Sequence, residues 1–87
     1  MIADHSMTFD GQTYKKGDEL PDLGSLVCTS AEGNIRNYEG RYEDRTKLPK
    51  YDNLATGSSA FLSDNGSFKL YKYYADGKTW EGNGEVF

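Results

Sequence analysis

Ser59-Ala60-Phe61-Leu62-Ser63-Asp64-Asn65-Gly66-Ser67-Phe68-Lys69-Leu70-Tyr71-Lys72-Tyr73 is two β-prone runs joined by Asp64-Asn65-Gly66. Asn-Gly between such flanks is a strong hairpin signal, because a two-residue type I′ turn needs positive φ at both central positions. Asp76-Gly77 then turns the chain into Lys78-Thr79-Trp80, so residues 59–80 read as a three-stranded meander. Side chains alternate across a strand. Phe68 and Leu70 therefore fall on one face of their strand, and Tyr71 and Tyr73 on the other. Ala60 and Leu62 share a face, with Phe61 opposite. The expected core is Leu62, Phe68, Leu70 and Trp80. Tyr71, Tyr73 and Tyr74 are expected at a contact surface. Six of the twelve aromatic residues lie between Phe61 and Trp80, which implies a sheet covered on one side and adhesive on the other.

Working outward, Asp10-Gly11 predicts a hairpin with arms near 6–9 and 12–15. Lys16-Gly17-Asp18-Glu19-Leu20-Pro21 reads as loop or edge, since Pro21 lacks a donor and biases Leu20 toward extended backbone. Leu26-Val27-Cys28-Thr29 and Ile35-Arg36-Asn37-Tyr38-Glu39 flank the turn Glu32-Gly33-Asn34 and predict another hairpin, half-buried on both faces because its alternation is imperfect. Residues 40–58 are irregular, broken by Gly40, Pro49 and Gly57. They allow one helical turn near Asp44–Leu48. So long a segment must dock through Leu48, Tyr51 and Leu54 or form part of a contact surface.

The 87 residues allow one domain, which buries about 60% of the surface its unfolded chain exposes. No run approaches the roughly 18 apolar residues that cross a bilayer, so no membrane partner is expected. Met1–Ser6 lacks a basic region followed by an apolar stretch and reads as a flexible extension rather than a leader. Tyr (7) and Gly (10) are abundant and Pro (2) scarce, which fits strands and tight turns. The lone Cys28 excludes an internal disulfide and fits a reducing compartment or a small buried site.

The net charge of −4 is unevenly spread. Residues 36–50 hold Arg36, Arg41, Arg45, Lys47 and Lys50 among Glu39, Glu43 and Asp44. Acids interleave these cations, which argues against direct nucleic-acid binding. Arg41 and Arg45 are the candidates for orienting a protein partner.

No catalytic set emerges. A Cys28–His5 pair would need a positioned base and an oxyanion hole. Glu43-Asp44 reads as a solvated acidic pair, and Asp64-Asn65-Gly66-Ser67 lacks the ligand spacing of a calcium loop. No metal, cofactor or enzymatic activity is expected.

Gly17–Ser25, Cys28-Thr29, Gly33–Arg36, Tyr38–Gly40, Lys47–Tyr51 and Gly57–Ala60 resemble small proteins encoded by phages and prophages of Gram-positive bacteria. The segment from Asp64-Asn65-Gly66 through Tyr71, Tyr73 and Lys78-Thr79-Trp80 is similar to a hairpin of phage virion-associated proteins, usually Asp-Thr-Gly, alternating Tyr, and a final Trp. The resemblance spans 7–80. Asn65 replaces the usual Thr, and Glu81–Phe87 run on past the Trp. On this comparison Met7 is the native start. The resemblance implies the company of virion structural genes, the host cytoplasm during assembly, and the virion itself.

The expected fold is all-β: a small antiparallel sheet or open barrel of about five to six strands built from hairpins, over residues 7–87. The expected role is a non-enzymatic accessory or structural protein that binds other virion proteins or itself. Two alternatives stand beside it. One is an acidic inhibitor of a host nucleic-acid enzyme, from the net charge. The other is a carbohydrate-binding module using Tyr71, Tyr73 and Trp80.

Overall fold

A computed structural model describes all 87 residues. The strands are β1 (Met7–Phe9), β2 (Gln12–Tyr14), β3 (Val27–Glu32), β4 (Ile35–Arg41), β5 (Ser59–Asp64), β6 (Ser67–Tyr74), β7 (Thr79–Gly82) and β8 (Glu85–Val86). A 3-10 helix spans Tyr42–Lys47. β1 and β2 form a separate hairpin, and β3 to β8 form one open sheet in sequential order. The all-β expectation holds, and the sheet does not close into a barrel.

The turns follow their residues. Asp10 and Asn65 take φ of 51° and 49°, each followed by a glycine at positive φ, as type I′ geometry requires. β5 and β6 pair with Leu62 opposite Lys69 and Ala60 opposite Tyr71. β6 and β7 pair with Tyr73 opposite Trp80. Asn83-Gly84, also at positive φ, makes one more hairpin and adds β8, which sequence reading did not anticipate. Gly82 in β7 is required by close approach: a Cβ there would sit 2.3 Å from the Leu70 carbonyl oxygen.

Hairpin logic fails at one seam. β4 and β5 are parallel, Tyr38 beside Ala60 and Gly40 beside Leu62. Parallel neighbours need a crossover of a dozen or more residues, and 42–58 supplies it. The crossover lies over one face of the sheet. Leu48 and Leu54 enter the core cluster, with Tyr51 packed against it, so the segment docks as its apolar residues demand. Ser58, fully buried, ties its end down: its hydroxyl donates to the Ala55 carbonyl at 2.8 Å and accepts the Arg36 N–H at 3.0 Å.

The core is Leu26, Tyr38, Leu48, Leu54, Ala60, Leu62, Tyr71, Tyr73 and Trp80. Leu62 and Trp80 stand where expected. Phe68 and Leu70 do not: they are 62% and 49% exposed, while Tyr71 and Tyr73 are 0% and 1% exposed. The two faces of β6 are thus the reverse of the expectation. Leu62 faces inward, and its partner across the hairpin is Lys69, so the odd-numbered residues of β6 share its side.

Three smaller corrections follow. β3 is an outer strand exposed along its whole length, not half-buried on both faces. Cys28 on it is exposed rather than tucked into an apolar site. Met1–Ala3, expected to be a flexible extension, pairs with 17–20. Ile2 bridges Glu19, the Ala3 N–H donates to the Asp18 carbonyl at 2.8 Å, and Ala3 is buried.

Candidate protein-binding surface

The side of the large sheet opposite the crossover carries no covering layer. Strand register puts Val27 (β3), Glu39 and Arg41 (β4), Phe61 (β5), and Phe68, Leu70, Lys72 and Tyr74 (β6) on it. Phe61 and Phe68 are diagonal neighbours across the β5–β6 ladder, which is the geometry that lets long side chains meet. Their rings stack at 4.6 Å with planes 5° apart. Leu70 lies directly opposite Phe61. Four apolar side chains (Phe61, Phe68, Leu70, Tyr74), each left about half exposed, present on the order of 400 Å² to water, within the range of the largest apolar patch on a monomer, which is often functional. Charges of both signs punctuate it, with Lys72 opposite Glu81 and Glu39 beside Phe61.

The inner face is organised by carboxylates instead. Asp10, at the tip of the β1–β2 hairpin, accepts hydrogen bonds from Tyr38 and Tyr51 hydroxyls at 2.9 and 2.8 Å. Its other oxygen meets the Arg36 guanidinium at 3.2 Å. Gly11 makes room for that guanidinium: a Cβ there would fall 1.7 Å from Arg36 Nη2. At the opposite end Glu85 accepts the hydroxyls of Tyr42 and Tyr71, which hold its carboxyl below the usual range. Tyr42 lies between two cations, Arg45 and Lys69, each 4.2 Å from its ring centre. These contacts lock the 3-10 helix to the end of the sheet.

Burial pushes the phenols of Tyr38, Tyr51, Tyr71 and Tyr73 upward, and neighbouring carboxylates add to each shift, through hydrogen bonds for the first three. Folding therefore favours their protonated form. That contribution is intact below their ordinary value of 10.0 and is lost as pH climbs through the raised folded values. Alkaline titration is expected to show the tyrosinate absorbance of these four arriving together with loss of the far-UV sheet signal. Full ionisation of all seven tyrosines while the sheet signal stays intact would contradict their burial.

Of the residues expected at an interface, Tyr74 and Arg41 are on the open face. Tyr71 and Tyr73 are in the core, and Arg45 is engaged with Tyr42, also donating to its carbonyl at 3.2 Å. Burial of Tyr71, Tyr73 and Trp80 removes the aromatic platform imagined for sugar stacking. Phe61, Phe68 and Leu70 are the surface residues that sequence reading missed. The catalytic candidates are not brought into a working set: His5 pairs with the adjacent Asp4, Cys28 donates to the Ser30 carbonyl, and Asp44 accepts from Ser25. A polar cleft of about 300 Å³ beside Arg41 and Asp64 has its charges already paired, Arg41 with Glu43 and Asp64 with Lys69. No group of three or more potential metal ligands occurs, and no helix is long and apolar enough to cross a membrane.

No family model, curated protein or solved structure matches the chain.

Proposed function

We propose that this chain is a non-enzymatic recognition protein that docks through the open face of its β3–β8 sheet, as a phage-encoded accessory or structural protein binding other virion proteins. The observation that carries the recognition reading is the stacked Phe61–Phe68 pair with Leu70 beside it, left uncovered on a sheet whose other face is buried under the crossover from β4 to β7. Aromatic side chains in a flat apolar patch rimmed by charge are the usual anchors of protein interfaces. The virion assignment comes from the resemblance of residues 7–80.

Incorporation into particles tests both parts. Wild-type and Phe68→Glu proteins are expressed in an infected host, and purified precursor and mature particles are analysed by mass spectrometry. Wild-type peptides are expected in particles, and the variant, folded by far-UV circular dichroism, is expected to be depleted at least tenfold. Absence of the wild type from both particle types overturns the virion reading. Equal incorporation of the variant overturns the role of the open face.

A further inference from the structure

We propose that the open sheet face is first occupied by a second copy of the same chain, sheet against sheet across a twofold axis through the Phe61–Phe68–Leu70 patch. This rests on the reading of that face as the docking surface and names its partner.

Three features favour a copy over an unrelated protein. The first is area. Six strands about 4.8 Å apart, running from two residues (β8) to eight (β6), make a face of about 500 Å². With side-chain relief, that approaches the roughly 800 Å² per partner of a stable interface. The face alone thus supplies most of the area a stable dimer needs.

The second is charge. The chain carries −4, so random approach of two copies is repulsive. The open face is nearly balanced, however, with Arg41 and Lys72 set against Glu39 and Glu81. The repulsion between two copies is therefore not concentrated on the surface that would make the contact, and a twofold across the strands brings Arg41 of one copy near Glu39 of the other. This is the self-complementarity an isologous interface needs.

The third is shape and need. Two sheets of equal twist pack face to face at about 10 Å with aligned strands, and a second copy supplies that twist by identity. Only 13 of 87 residues are buried in the single chain. Pairing would convert the one-sided sheet into the middle of a four-layer particle, crossover–sheet–sheet–crossover.

Sedimentation equilibrium of the purified chain from micromolar to millimolar concentration reads the result. A species of twice the 9.8 kDa chain mass is expected. Phe61→Glu and Phe68→Glu are expected to weaken it on the order of 100-fold. Phe68→Gln, which adds no charge, serves as the second variant should a glutamate variant fail to fold. A wild-type monomer at every concentration overturns the proposal. So does a dimer that survives substitution of both phenylalanines, which would direct attention to pairing along the bare β3 edge. A wild-type monomer that is still found in particles overturns only the dimer, and a wild-type dimer that is absent from particles overturns only the virion reading.

Discussion

Trp80→Ala lowers the free energy of unfolding by about 3–5 kcal/mol, enough to leave a chain of this size largely unfolded at ambient temperature. Trp80 is fully buried. Its ring meets Tyr38 edge-on at 6.1 Å and Tyr73 tilted at 5.1 Å, so its loss opens a cavity between β4, β6 and β7. Its indole N–H also donates to the Pro49 carbonyl at 2.9 Å, and that bond pins the crossover to the sheet. Trp80→Phe separates the two effects. It keeps much of the ring contact and leaves the Pro49 carbonyl without its donor, at about 1–3 kcal/mol. Urea titration followed by far-UV circular dichroism measures both, since the only tryptophan is the residue replaced. An unchanged midpoint for Trp80→Ala would remove it from the core.

Asp10→Ala is expected to cost about as much, roughly 3–5 kcal/mol, although Asp10 lies in a turn. Its side chain is 6% exposed and is the shared acceptor for two tyrosine hydroxyls and a guanidinium. Without it, Tyr38, Tyr51 and Arg36 hold donors with nothing to meet. Alanine also tolerates the φ of 51° poorly, adding about 1–2 kcal/mol. Asp10→Asn keeps the turn, because asparagine accepts that backbone readily, and keeps one acceptor oxygen while losing the charge. It should fall between wild type and Asp10→Ala. Hydrogen exchange in β1 and β2 gives the local readout: faster exchange there than in β6 shows that the hairpin has come away. Wild-type stability in Asp10→Ala would mean the cluster contributes nothing.

Much of the strand order was legible because the turns are chemically explicit. Asp10-Gly11, Gly33-Asn34, Asn65-Gly66 and Asp76-Gly77 each close a hairpin close to where their residues indicate. Docking through Leu48, Tyr51 and Leu54 was one of the two outcomes open to so long a loop, and it is the one the structure takes. The parallel seam was not legible, since nothing in 42–58 states which way β5 will run against β4.

The face of β6 was misjudged for an identifiable reason. Both of its faces are apolar or aromatic, and ranking Phe and Leu above Tyr selects the wrong one. The two turns held the answer. Asn65-Gly66 sets Leu62 opposite Lys69, and Asp76-Gly77 sets Trp80 opposite Tyr73. Taking Leu62 and Trp80 as core therefore commits Tyr71 and Tyr73 to the core as well. The candidate site was inverted by the same error: Phe68 and Leu70, expected in the core, are at the surface beside Phe61. Tyr38, Tyr51 and Tyr71 are favoured inside because Asp10 and Glu85 accept their hydroxyls, which phenylalanine could not supply, whereas the Tyr73 hydroxyl is buried without a partner.

The parallel seam has a kinetic corollary. Every other junction in the large sheet is a hairpin, formed between residues a few positions apart, whereas β4 can find β5 only by closing the whole of 42–58. Loop closure of that length costs entropy before any contact repays it. The β3–β4 pair and the β5–β8 meander therefore assemble independently, and the barrier to the native state lies in zipping them together.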